Sequence, residues 1–390
     1  MTRTVVVDRG IGTTTTRSGR RGEPTRESGV FELSRPDRSI SASGVRAGFD
    51  DPRAALEQLR SGSVSAVVGA LPFRRDRPAA LFEPVTMRHH DGSAAVTHAP
   101  ALPAFTVGNL HDASHLDRVA AGVAVLADAS SPLQKVVLAR TVELSSEHET
   151  HPMAAFAALV AGTPTGNGYC VDLSSAGAEY SGRTLVGSSP EVLIRKSGDV
   201  VSCHPLAGSA PRFTDPEQDR SSGRTLTQSS KDLREHAFVV DALRETLAPF
   251  CKTLDIPDQP TLTNTPQLWH LGTPISGVLA DPSTPSLEMA LALHPTPAVC
   301  GTPTDVAYST IEELEGERGF YGGAVGWCDA GGDGEWMVTI RCAEISADRR
   351  RITAYGGGGI IAESDPDAEL AETVTKLGTV LRALGVSTDV

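Results

Sequence analysis

The spacing of apolar and polar positions along the chain switches between two periods, and the switches mark out the elements. Between 110 and 129, Leu116, Val119, Val123 and Leu126 recur at intervals of three and four, which predicts a helix. A longer helix is predicted over 230–250, with Leu233, Ala237, Val240, Leu243 and Leu247 on its apolar face. Shorter helices are predicted at 53–59, behind the capping pair Asp51-Pro52, at 152–161 and at 286–293. Apolar runs of strand length occupy 64–71, 81–88, 135–144, 168–173, 184–188, 191–195 and 200–204. Residues 261–275 read as strand and turn. The last quarter reads as three strands and a helix over 366–384. Strand-dense segments flanked by helices, without regular βαβ alternation, predict an α+β fold: large, mostly antiparallel β-sheets packed together and flanked by helices.

Residues 1–28 break this pattern. They are rich in Thr, Arg, Gly and Ser, bury little, and predict a flexible N-terminal extension. Val5-Val6-Val7 is the one piece there that could pair as an edge strand. The globular part begins near Val30-Phe31-Glu32-Leu33 and runs on with no obvious linker, so 29–390 reads as a single domain.

Charge and cysteine usage narrow the function. A net charge of −13 argues against sequence-independent binding of nucleic acid. It leaves room for an anionic substrate, because a few local cations and a metal can reverse the sign inside a cleft. The six cysteines form no Cys-x-x-Cys pair and read as reduced, mostly buried thiols. No apolar run reaches the roughly 18–20 residues needed to cross a membrane, and residues 1–28 lack the apolar core of a signal peptide. A soluble, cytoplasmic protein is the expectation.

The candidate chemistry concentrates in 294–376, where glycines, one arginine and two carboxylates recur. Ser364 or Asp365 can cap the last helix, Pro366 suits its first turn, and Ser364-x-x-Asp367 matches a capping box. Glu369, Glu372 and Lys376 then share one face. Alone they read first as a solvated face with a Glu372–Lys376 pair. Gly356–Gly359 reads as a bend able to receive an anion, but it is not a phosphate loop. Asp232, Glu235 and His236 cluster within one turn of the 230–250 helix. One glutamate from each helix would suffice for a divalent cation that keeps waters and binds substrate oxygens. Lys135 opens an apolar strand. It either snorkels to solvent or faces a closed site as a general base. Glu191, after Ser188-Ser189-Pro190, could stay protonated and serve as an acid.

Together these segments resemble the chorismate-utilising enzymes, which include isochorismate, salicylate, anthranilate and aminodeoxychorismate synthases. The resemblance runs from about Val64 onward. It rests on Gln-Lys-Val-Val-Leu-Ala-Arg (134–140), Ser-Ser-Pro-Glu (188–191), His-Pro-Leu-Ala-Gly-Ser (204–209), Lys-Asp-Leu-Arg-Glu-His (231–236), His-Leu-Gly-Thr (270–273) and the 294–376 stretch, all in the family's order. It implies one chorismate-binding catalytic domain. Mg²⁺ is the implied cofactor, held by Glu235 and Glu372, with Lys135 and Glu191 catalytic: Lys135 activates water for attack at C2, and Glu191 protonates the departing C4 hydroxyl. Gly208, Ser209, His270, Ala298, Tyr321, Arg341, Gly357, Gly359 and Lys376 match substrate-binding positions.

Details within the resemblance favour the isochorismate synthases. Lys135 points to water as nucleophile rather than ammonia, and Ala207 stands where aminodeoxychorismate synthases place a lysine. Ala298 stands where salicylate and anthranilate synthases tend to carry threonine. The implied reaction is chorismate to isochorismate, with chorismate the only partner. No glutaminase subunit and a monomeric state are expected. Salicylate synthase and a non-catalytic chorismate-binding relative are the alternatives. The use of the product is left open among siderophore, menaquinone, salicylate and antibiotic routes. Four positions depart from the pattern: Arg74 and Arg75, Cys300 and Gly358, the last two bearing on pocket shape.

Overall fold

The 66–71 strand buries both of its faces, and this sets the layering of the molecule. Val67 and Leu71 pack into one apolar cluster, while Val68 and Ala70, of opposite parity, pack into another. The same holds at Gly168–Asp172, where Tyr169 and Val171 join the second cluster and Cys170 a third. A strand apolar on both sides needs cover on both sides. The computed structural model, which describes residues 29–95, 99–110 and 112–387, supplies it as two sheet layers face to face with helices on the outside. The expected extension over 1–28, including Val5–Val7, lies outside the described residues.

Among the described residues seventeen strands join one continuous hydrogen-bonded ribbon. Its pairings are antiparallel: Lys135–Ser145 runs against Arg351–Ile360 and carries the short end strands Thr106–Val107 and Gly301–Thr302 on its other edge, and Cys251–Asp255 against Ile275–Leu279 closes the far end. The long pair Arg38–Phe49 and Ala80–Asp91 carries the ribbon from one layer to the other. A separate three-stranded sheet is built from Leu206–Pro211, Leu268–Gly272 and Thr261–Asn264. The large antiparallel sheets and flanking helices are those expected.

Several elements differ from the reading of the sequence. The helix expected from 110 begins at Ala113, because the Asp112 carboxylate accepts from the Ser114 amide and caps it there. It buries His115, Val119 and Gly122, with Leu116, Val123 and Leu126 only partly covered. The long helix, Ser230–Leu247, buries His236 and Val239 beside Val240, Leu243 and Leu247, and Ala237 is exposed. Helices Pro216–Gln228 and Thr304–Leu314 were not anticipated, although Asp215-Pro216 is a capping pair. The last quarter holds four strands of four residues or more, not three.

The departures from the family pattern find structural places. Arg74 pairs with Asp76 and Glu312, and Arg75 donates to the carbonyls of His294 and Ala292. Cys300 is buried among Phe73, Val136 and Leu138, away from the cavity described next. All six cysteines are free, and all but Cys251 are buried.

Candidate active site

The glycine stretch is a strand. Arg351–Ile360 pairs with Lys135–Ser145 along its length, Gly356 opposite Arg140 and Gly359 opposite Val137. This corrects the expected bend. The ladder needs no side chains there, and their absence lets other groups approach the backbone. A Cβ on Gly357 would lie 2.7 Å from the Tyr321 hydroxyl oxygen, and one on Gly359 would lie 2.4 Å from Glu235 Oε1. Gly359→Ala is therefore expected to displace Glu235. Activity should fall by about 10²-fold or more, since small misplacements at a reacting centre are costly. The thermal midpoint should move by only a few degrees, and differential scanning fluorimetry beside an activity assay checks both.

Two helices serve this strand from opposite faces. Ser230–Leu247 starts at Ser229, whose hydroxyl accepts from the Asp232 amide, and it brings Glu235 to Gly359. Pro366–Ala383 packs Leu377 on Gly356 and Glu369 on Gly358. Asp365 caps this helix by accepting from the Ala368 amide. Ser364 does not close the expected box with Asp367; its hydroxyl donates to Glu369 Oε1 at 2.7 Å and accepts from the Ile361 amide.

These elements enclose a cavity of about 830 Å³, mouth included. Every residue expected in the site lines it except Lys135. Lys135 is fully buried, so it does not snorkel to solvent. It shares strand parity with Val137, which lines the cavity, and Nζ lies 3.1 Å from Glu235 Oε1, outside hydrogen-bond geometry. The amine thus sits one layer behind Glu235 and Gly359. Gly358 and Cys300 do not line the cavity.

Glu191 precedes the Val192–Ser197 strand and is 3% exposed. Burial pushes its carboxyl up to about 8. The Leu206 amide and the charges of Lys135, Lys376 and Arg341 only partly offset this. At neutral pH it is a protonated acid inside the cavity wall. A bulge at Gly208, with φ of 77°, interrupts the pairing of Leu206–Pro211 with Leu268–Gly272. Beyond it the Ser209 hydroxyl donates to Glu372 Oε1 at 3.0 Å. His270 lies opposite Ser209; it is held neutral by burial, and its Nε2 has no partner. His236 is neutral too, its pKa lowered to about 4 by burial. Its Nδ1–H donates to the Ala207 carbonyl and Nε2 accepts from the Thr273 hydroxyl, which ties the helix to this loop.

Arg341 adopts a left-handed backbone, φ 51°, unusual for a side chain of its size. Burial lowers its pKa to about 10, still well above neutrality. Tyr321 stacks on Tyr355 with centroids 5.2 Å apart. Lys376 Nζ donates to the Gly357 carbonyl at 2.9 Å and pairs with Glu372 Oε1 at 2.5 Å. Ala298 sits on a loop fixed from below by buried Arg318, which donates to the carbonyls of Val299 and Val137 and pairs with Glu315.

Four carboxylates gather at this end of the cavity, and three of them have a lysine partner: Glu235 with Lys135, Glu369 with Lys231 at 3.3 Å, and Glu372 with Lys376. Burial and the charges of Glu235 and Glu372 raise the Asp232 carboxyl. Burial and Glu372 raise that of Glu369, whose Oε2 has no partner. Burial alone would raise Glu372 as well, but Lys376 and Ser209 hold it below the usual range. Such a cluster fits a divalent cation. Among the described residues no three His, Cys, Asp or Glu side chains are grouped to hold a metal unaided.

Sequence reasoning missed Tyr355, Ile340 and Leu206 as lining residues and gave Asp232 no place there. Strand parity holds the signal for Tyr355, which shares a face with Gly357 and Gly359.

A fold of stacked antiparallel sheets with this acid, amine, arginine and carboxylate set defines a class. The chain belongs to the chorismate-binding enzymes, whose sequence profile matches residues 75–385. A Mycobacterium tuberculosis protein provisionally named isochorismate synthase MenF is 49% identical, over 91% of this chain and 96% of that one. The Bacillus subtilis isochorismate synthase DhbC is 40% identical, over 92% and 94%. A crystal structure of DhbC from Bacillus anthracis, provisionally described as a 2,3-dihydroxybenzoate-specific isochorismate synthase, superposes with a TM-score of 0.84 at 37% identity. That match covers 92% of this chain and 97% of that one.

Proposed function

We propose that this chain is an isochorismate synthase, which converts chorismate to isochorismate by adding water at C2 and releasing the C4 hydroxyl. The observation that carries the chemistry is the buried Glu191, a carboxylic acid kept protonated at neutral pH in a wall it shares with Arg341. Loss of a hydroxyl needs a proton donor, and a buried acid in the cavity wall supports Glu191 in that role. Water needs a base, a role that falls to the amine of Lys135, acting from behind Glu235 and Gly359. One proton leaves water for Lys135, one passes from Glu191 to the departing oxygen, and a water molecule is released for each one consumed.

Arg341, Tyr321, Lys376 and the amides of Gly357 and Gly359 would receive the substrate's carboxylates. Glu235 and Glu372 would hold Mg²⁺, which when bound would neutralise a substrate carboxylate. Gly208, Ser209, His270 and Ala298 would shape the wall around the ring. A nucleophile drawn from solvent makes a glutaminase partner unnecessary, and a monomer suffices because all these residues come from one chain. The described residues contain no helix long and apolar enough to cross a membrane. Six unpaired cysteines support a reducing, cytoplasmic setting.

Incubation with chorismate and Mg²⁺, with products resolved by chromatography, tests the reading. Isochorismate without pyruvate is expected; salicylate with pyruvate would move the assignment to a synthase that continues to elimination. Glu372→Gln should raise the Mg²⁺ concentration for half-maximal activity by about tenfold or more. An unchanged requirement would remove Glu372 from the cation site.

A further inference from the structure

Behind the partition formed by His270 and Arg341 lies a second cavity, of about 1140 Å³ with its mouth. It shares Pro190, Leu206, His270 and Arg341 with the first. Among the described residues no Asp or Glu lines it, although the chain carries 48 acidic residues.

Its polar lining offers donors. Asn167 Oδ1 already accepts from Arg35, and Gln267 Oε1 from Thr379, so each amide has its NH₂ group left to give. Arg212 is spent: it pairs with Asp219 at 2.8 Å and lies over the Trp269 ring. Arg341 is not spent. Among the described residues no carboxylate lies within ion-pair distance of it, and its one side-chain partner is the Thr379 hydroxyl, 3.3 Å away. Thr379 lines the second cavity and not the first. His270, 5% exposed, carries an unpartnered Nε2 on the same partition.

We propose that the second cavity binds a second molecule of the substrate's class, a small organic dicarboxylate held from behind by Arg341, and that its occupancy slows turnover. This rests on the reading of chorismate as substrate. The space exceeds that of the first cavity, so a molecule of the same size fits. A guanidinium forms its strong, bidentate contact with one carboxylate along one edge. A carboxylate that takes the place of Thr379 therefore draws Arg341 away from the one that must be held for reaction.

The test is initial velocity against chorismate concentration, with Mg²⁺ present, for the wild-type chain and for the double variant Asn264→Asp, Thr165→Glu. Both substituted residues line the second cavity and not the first, and the substitutions place carboxylates in it. The wild type is expected to pass through a maximum and fall to half of it or lower at high chorismate. The double variant should saturate without a downturn, with kcat/KM within about twofold. Calorimetry on a Lys135→Met chain should count two chorismate molecules. Simple saturation with one molecule bound overturns the proposal. So does a downturn that persists in the double variant, since the inhibiting anion then sits elsewhere. Absence of turnover at low chorismate counts against the functional reading instead, and the calorimetric stoichiometry still decides the second site.

Discussion

Glu191→Gln is expected to remove activity and stabilise the fold together. Loss of a general acid costs about 10²–10⁴ in rate. The stability gain follows from the carboxyl's position at about 8, against 4.5 for an unperturbed group. An acid whose folded pKa is raised contributes its full stability below the unfolded value. That stability is lost as pH rises through the folded one. The wild-type chain therefore loses on the order of 2–4 kcal/mol between pH 4.5 and pH 8 at this residue. Glutamine keeps the shape and an acceptor for the Leu206 amide but does not ionise. Urea unfolding should show the variant nearly level with wild type at pH 4.5–5 and clearly more stable at pH 8. Glu32, also pushed up to about 8 by burial, titrates in both chains and cancels in the difference. A gap that stays constant with pH would mean that Glu191 ionises normally in the fold.

Lys135→Met should lose activity by a comparable factor while leaving Mg²⁺-dependent chorismate binding in place. Methionine preserves the buried stem and removes only the amine. The cost in stability is set by Glu235, which loses its partner at 3.1 Å. A fully buried orphan carboxylate would cost about 3–5 kcal/mol. Glu235 borders a cavity, so roughly 1–2 kcal/mol is expected. Chorismate binding by calorimetry and the unfolding midpoint distinguish a missing base from a collapsed site. Turnover retained in this variant would withdraw the base assignment.

Much of this was legible in the sequence because parity and capping are local. Val67 and Val68 report their opposite faces by position alone, and Asp51-Pro52 starts a helix where it should. What depended on long-range pairing was not legible. Gly356–Gly359 has no strand propensity of its own. It is extended because residues 137–140 offer it a ladder, more than two hundred residues away in the chain. His236 was read as polar beside a core stripe, yet it is buried because Ala207 and Thr273 satisfy both nitrogens. Ser364 was readable as a cap, and the partner that claimed it, Glu369, could be known only from packing. The site residues themselves came from ordered motifs. That Lys135 stands behind the cavity wall was not written in any motif.

The glycine strand also bears on how this enzyme could be remade. Gly356, Gly357 and Gly359 border the cavity with main chain alone, and Gly357 and Gly359 have no room for even a methyl group. That wall cannot be recut by exchanging side chains, so libraries randomised there would return mostly inactive protein. Diversity aimed at a new nucleophile or a bulkier ring belongs on the facing loop at Ala298, which lines the cavity from outside the ladder.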